Sequence, residues 1–241
     1  MLSFVILAAG KGVRMDSSIP KPLHKIGGKS MLERVVENAR KLDTDKIVVV
    51  VSDEKVAEKA KELGSIPVWQ KIPIGTADAL KLALYECYPA GELLLSCSDI
   101  PLVTAEIFQG LYSKHIQTGN YMTVLTTEVE DPHGYGRVIK KGQAVISIVE
   151  EKEASDKERK IKLINSGIYC IKRIDLKNKL GRIKRSAVKG EYYLTNLVSI
   201  AAADNLGVGE FRCDNRYVMG INTKEQLEKA EQLWSKRCIA N

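Results

Sequence analysis

Phe4-Val5-Ile6-Leu7-Ala8-Ala9-Gly10-Lys11-Gly12-Val13-Arg14-Met15 joins a short apolar run to a loop of small residues, two glycines and two cations. The run has the length and continuity of a strand covered on both faces. The loop that follows lets backbone N–H groups approach an anion closely, with Lys11 and Arg14 supplying charge. It is not the dinucleotide fingerprint, because Met15 stands where the third glycine would allow close helix packing. Gly27-Gly28-Lys29-Ser30 is likewise no P-loop, since Leu23 holds the place of that motif's first glycine.

Outward from this loop the apolar signature recurs at residues 46–51 and 93–97, and helical patterns cover 30–42, 54–63 and 76–87. In the first of these helices Leu32, Val35, Val36, Ala39 and Leu42 share one stripe, and Ser30 with Glu33 has capping-box spacing. Alternating strands and helices predict right-handed crossovers and a mostly parallel sheet whose ligands bind beyond the strands' carboxyl ends. That places the loops after Leu7 and Cys97 at the site. From residue 121 the pattern turns strand-like (122–129, 137–140, 145–149 and 163–171) before helices return at 193–203 and 223–236. The second half therefore adds antiparallel or mixed strands. Residues 150–162 read as a charged loop, and no linker or internal repeat divides the chain.

Composition narrows the function class. With 241 residues, 44% hydrophobic and 28% charged, the chain buries a sizeable core, and disorder is excluded. No stretch approaches the roughly 18 consecutive apolar residues of a membrane helix, and the N-terminal Met1-Leu2-Ser3-Phe4-Val5 has no basic region and no small-residue cleavage site after an apolar run, so export is not expected. Five dispersed cysteines (Cys87, Cys97, Cys170, Cys213, Cys238) fit neither a disulfide framework nor a zinc knuckle and suit a cytoplasmic protein. The net charge of +7 is a solvated surface or an attraction to anionic substrates. Nucleic acid is not the expected partner, because the richest basic run, 182–185, carries no aromatic residue. His24, His115 and His133 are too dispersed for a metal cluster, and His115 reads as surface helix. Cys97 reads as a buried strand end, not a nucleophile. Asp99, just past an apolar strand, either starts a turn before Ile100-Pro101 or offers a carboxylate to a cation at the sheet edge.

The loop, followed by Pro20-Lys21-Pro22-Leu23-His24, resembles the nucleotidyltransferases that make nucleotide-sugars. The resemblance continues through Gln70 with Gly75-Thr76, Ser98-Asp99-Ile100-Pro101, Asp131-Pro-His-Gly-Tyr-Gly-Arg-Val138, Val149-Glu150, Ile164-Asn165-Ser-Gly167, Gly190-Glu-Tyr-Tyr-Leu-Thr195 and Gly220-Ile-Asn222. In that order these segments are similar to the uridylyltransferase domain of the GlmU family over nearly the full chain. The implied fold class is α/β: a Rossmann-like, mostly parallel or mixed sheet flanked by helices, with a smaller β-rich lobe for the sugar. One nucleotidyltransferase domain is expected over 1–241, with a nucleotide half to about residue 120 and a sugar half beyond it. No hexapeptide repeat is present, so neither a left-handed β-helix nor acetyl transfer is expected of this chain.

The resemblance also implies a reaction and a site. UTP and N-acetylglucosamine 1-phosphate would give UDP-N-acetylglucosamine and pyrophosphate, with Mg²⁺ as cofactor. Arg14 and Lys21 would act on the phosphates. Leu7, Ala8, Ala9, Gly10, Lys11, Gln70, Gly75, Thr76, Cys97 and Ser98 would bind the nucleotide. Gly136, Glu150, Asn165, Tyr193 and Thr195 would bind the sugar phosphate, and Asp99 with Asn222 would ligate the metal. The sequence departs from the family at Cys97-Ser98-Asp99, where many relatives have Tyr-Gly-Asp, so the base and sugar preferences are open. Another nucleotide, another sugar 1-phosphate, or a catalytically silent nucleotide-sugar binder are the alternatives, and no oligomeric state follows from the sequence.

Overall fold

The computed structural model describes residues 1–241 apart from Lys11, Tyr88, Pro89 and Asn241. β1 (Leu2–Leu7) is buried along its whole length. A small hairpin of β2 (Lys25–Ile26) and β3 (Lys29–Ser30) leads into α1 (Met31–Arg40), where Ser30 Oγ accepts from Glu33 N at 3.1 Å, as the capping spacing predicts. β4 (Lys46–Val51), α2 (Glu54–Glu62), β5 (Ile66–Trp69), α3 (Thr76–Ala83), β6 (Glu92–Cys97) and α4 (Ala105–Thr118) continue the alternation. Then come β7 (Met122–Glu128), β8 (Arg137–Lys141), β9 (Ala144–Val149), α5 (Asp156–Arg159), β10 (Leu163–Lys172), α6 (Leu176–Gly181), α7 (Asn196–Ala203), β11 (Val208–Arg212) and α8 (Lys224–Ala240).

The main sheet runs β11-β7-β10-β6-β1-β4-β5. β6, β1, β4 and β5 pair in parallel, β10 is antiparallel to both β6 and β7, and β11 is parallel to β7. The sheet is thus the mixed α/β arrangement expected, continuous from the first half of the chain into the second. Strand alternation divides its core. Phe4, Ile6, Val49 and Leu94 face α1, α2 and α4, with Phe4 and Phe108 edge to face at 4.9 Å. Val5, Leu7, Val50 and Leu95 face α3, α6 and α7. Each such side chain contributes about 1.5–3 kcal/mol by leaving water, so the parallel strands are pinned from both sides.

Three local readings are corrected. Residues 150–162 are not loop throughout, because Ser155 and Glu158 form a reciprocal capping box that starts α5. The helix expected at 193–203 starts only at Asn196, because Tyr192 is held extended: its N–H donates to Ile74 O and its carbonyl accepts from Ala77 N. His115 is fully buried, not on the surface, with its ring nitrogens 2.9 Å from Glu92 Oε2 and Thr123 Oγ1. These partners, on β6 and β7, satisfy an imidazole that α4 alone would expose.

A third apolar cluster fixes the C-terminal helix. Ile26, Met31, Leu102, Ile221 and Ala230 pack together with Leu227, Leu233 and Trp234 alongside. The Arg34 guanidinium lies 3.5 Å over the Trp234 ring, and Gly27 N donates to the Glu231 carboxylate. Docking α8 here returns Asn222 to the carboxyl end of the sheet.

Candidate active site

At the carboxyl ends of β1, β4, β5 and β6 the loops are stitched by backbone hydrogen bonds. Ala8 N donates to Val50 O at 2.8 Å, Ser98 N to Leu7 O at 3.0 Å, and Gln70 N to Val51 O at 2.8 Å. Ser52 Oγ adds a bond to Ala9 O at 2.9 Å. Between them opens a cavity of about 370 Å³, within the usual size of a small-molecule site. Leu7, Ala8, Ala9, Gly10, Gln70, Gly75, Thr76, Cys97 and Ser98, the described residues expected on the nucleotide, all line it. Lys11 lies outside the described residues.

Gly75 shows why its position takes glycine. Its φ is +131°, and a Cβ there would sit 2.4 Å from Tyr192 O. The close approach lets Leu194 N donate to Thr76 Oγ1 at 2.9 Å and Ala77 N to Tyr192 O at 2.9 Å, so the Gly190–Thr195 segment seals one wall. Burial pushes the Cys97 thiol up to about 12, with the Asp99 charge adding to the rise. The thiol is therefore protonated at neutral pH and is no nucleophile.

The charged groups meet on one rim. Lys21 Nζ donates to Asp99 Oδ2 and, at 2.8 Å, to Asn222 Oδ1. Arg14 Nη2 donates to the same Asn222 oxygen at 3.0 Å. Ile221 N donates to Asp99 O at 2.8 Å and ties the two loops together. One carboxylate and one amide oxygen thus converge on a single cationic atom. Such hard oxygen donors suit Mg²⁺, which takes few protein ligands and completes its shell with water and phosphate. Asn222 N donates to Gln226 Oε1 at 2.6 Å, and Thr223 with Gln226 forms a reciprocal capping box at the start of α8.

The residues expected on the sugar form an adjoining group. A Cβ at Gly136 would lie 3.7 Å from Asn165 Cβ and 3.8 Å from Glu150 Oε1, so the three are neighbours. Thr195 Oγ1 donates to Glu150 Oε1 at 2.8 Å. Desolvation raises the Glu150 carboxyl above its ordinary range, against the pull of the Thr195 hydroxyl. Asn165 sits at the irregularity in the β10–β7 register, where its amide donates to Tyr169 OH at 2.6 Å and accepts from Gly167 N at 3.1 Å. Tyr193 is pushed up to about 12, first by desolvation and then by Glu191 and Glu150. The group abuts the cavity through Gly167, whose Cβ would stand 3.6 Å from Cys97 Sγ.

Sequence reasoning missed several members. Tyr169 partners Asn165, Glu191 lines the cavity, and Asp78 holds the Gln70 amide at 2.8 Å. The signal for Asp78 was its place one helical turn into the Gly75-Thr76 segment, but its direction is set only by packing.

The family model described as "MobA-like NTP transferase domain" matches residues 4–162. The chain is 41% identical over 243 residues to the "Bifunctional protein GlmU" of Pelotomaculum thermopropionicum, covering 99% of this chain and 53% of that protein. The protein of the same name from Francisella tularensis subsp. holarctica is 39% identical, with 98% and 52% covered. This chain therefore spans about half the length of these relatives. Among solved structures, a CMP:2-keto-3-deoxy-manno-octonic acid synthetase complexed with CTP superposes with a TM-score of 0.73 at 18% identity, covering 98% of this chain and 99% of that one. The inositol-1-phosphate CTP transferase from T. maritima gives 0.73 at 19% identity, covering 97% and 95%. Both likenesses establish the fold. No helix among the described residues is long and apolar enough to cross a membrane.

Proposed function

The chain belongs to the family of MobA-like NTP transferase domains, and from that membership we propose that it transfers a uridylyl group from UTP to N-acetylglucosamine 1-phosphate, releasing pyrophosphate. The observation that carries this reading is the convergence of Arg14, Lys21, Asp99 and Asn222 beside a glycine-lined cavity that opens onto the Gly136, Glu150, Asn165 and Thr195 group. The relatives named GlmU match almost the whole of this chain, and it is the resemblance of the site motifs to that family that supports the amino-sugar substrate.

The reaction asks little covalent chemistry of the protein. A phosphate oxygen of the sugar 1-phosphate bonds to the α-phosphorus of UTP as the bond to the departing pyrophosphate breaks. Two polyanions must be held together in line, so positioning and charge neutralisation supply the rate. Arg14 and Lys21 offset the phosphate charge. Ala8, Ala9 and Gly10 of the loop after β1 line the wall against which the triphosphate would lie. Asp99 and Asn222 would hold Mg²⁺, which when bound neutralises and orients phosphate oxygens. Glu150, bonded to Thr195, accepts a hydrogen bond from a sugar hydroxyl, and Asn165 offers the amide that matches an acetamido group.

Pyrophosphate release from UTP with Mg²⁺ tests this across N-acetylglucosamine 1-phosphate, glucose 1-phosphate and a no-sugar control. Release with the N-acetylated sugar alone is the expected result. Equal kcat/KM for glucose 1-phosphate removes the acetamido assignment, because a site built for a polar group penalises its loss. No release with any sugar overturns the transferase reading in favour of a silent binder.

A further inference from the structure

The Gln70 side chain is 3% exposed and lines the cavity. One end of its amide lies 3.1 Å from Gly75 O and 2.8 Å from Asp78 Oδ2. Both neighbours are acceptors, so that end is the NH₂, and both its protons are spent. The remaining end, Oε1, takes no hydrogen bond from any described residue and is the end free to meet a ligand in the cavity that Gln70 lines. An amide ordinarily presents donor and acceptor together; this one presents an acceptor alone.

We propose that Asp78 sets the base selectivity of the site by locking Gln70 in this orientation. The inference rests on the reading that a nucleobase enters the cavity beside Gln70. Against an acceptor-only group, the middle of a pyrimidine's pairing edge must carry N–H. Uracil carries it at N3. Cytosine has a lone pair there, which meets the Oε1 lone pairs and leaves a buried acceptor unpaired. Asp78 touches no substrate and acts through Gln70, which makes it a positioning residue. Its place in the first turn of α3 also favours the helix dipole, but that role is blind to the base.

The test is calorimetric binding of UTP and of CTP, each with Mg²⁺, to the full chain as wild type, Asp78→Asn and Asp78→Ala. At position 78 an asparagine can face the Gln70 amide in either orientation and an alanine in neither, so in both variants Gly75 O alone is left to favour the NH₂ end. Wild type is expected to bind UTP at least about tenfold more tightly than CTP, as hydrogen-bonding sites reject mismatched partners. In both variants that ratio is expected to fall at least about fivefold, with unchanged circular dichroism and a cooperative melt. A wild type that does not discriminate, or a ratio unchanged in either folded variant, overturns the proposal. Pyrophosphate release is measured on the same samples. Selective, Asp78-dependent binding without turnover refutes the transferase reading and sustains the role of Asp78, whereas turnover with an unmoved ratio does the reverse.

Discussion

Asp99 and Asn222, 123 residues apart in the chain, accept hydrogen bonds from one atom, Lys21 Nζ. Their oxygens therefore already point at a common cationic position. Asp99→Asn keeps the shape and removes the charge. Turnover is expected to fall by about a hundredfold or more, the scale of losing one group that stabilises reacting charge, while the melting temperature holds. Near wild-type turnover at saturating Mg²⁺ would remove Asp99 from the metal site.

Gln226 holds Asn222 from behind through its backbone N–H at 2.6 Å. Gln226→Ala is expected to weaken apparent Mg²⁺ affinity by about tenfold, as the loss of an outer partner of a metal ligand does. The missing cap costs about 1 kcal/mol of stability as well. Gln226→Glu retains the acceptor and is expected to restore both. A Mg²⁺ titration of activity that overlays wild type for the alanine variant would refute this.

Glu150 predicts an opposition between stability and binding. Desolvation raises its carboxyl in the fold, so the folded state binds its proton more tightly than the unfolded chain does. The resulting penalty is absent below the ordinary value of 4.5, grows as pH rises through the folded value, and persists above it. Glu150→Gln, which still accepts from Thr195, is expected to melt higher at pH 7 and to lose the advantage at acid pH. The KM for the sugar phosphate is expected to rise about tenfold, the worth of one charge-assisted hydrogen bond. Identical melting curves across pH for the two proteins would contradict the first half.

Gly75→Ala tests the wall of the cavity. A Cβ 2.4 Å from Tyr192 O, at a φ of +131°, forces the Gly190–Thr195 segment away. Loss of about 2 kcal/mol or more is expected, with a weaker KM for nucleotide. Denaturant melts and nucleotide titration check both, and an alanine variant as stable as wild type would show that the segment yields freely.

Much of the architecture was legible because its causes are local. The apolar run Phe4–Leu7 needs cover on both faces wherever it sits, and Ser30 with Glu33 begins a helix through bonds three residues apart. Two of the misreadings have non-local causes. His115 looks like a surface residue of α4 until β6 and β7 bring Glu92 and Thr123 to its two nitrogens. Residues 193–195 look helical, but Ile74 and Ala77 hold the Tyr192 backbone just before them and delay the helix to Asn196. Asp78 is an ordinary acidic residue in a first turn until the return of the chain at Gln70 makes it a partner.

By itself the sequence determined which residues carry charge, which are small enough for a backbone to approach an anion, and which strands must be buried, because these are properties of side chains and their near neighbours. Only the tertiary structure decided that Lys21, Asp99 and Asn222 share one point, that Thr195 reaches Glu150, and that Gln70 faces the cavity as an acceptor. Directions in space depend on how the sheet orders its strands and where α8 docks, and those follow from the summed burial of side chains distributed over the whole chain.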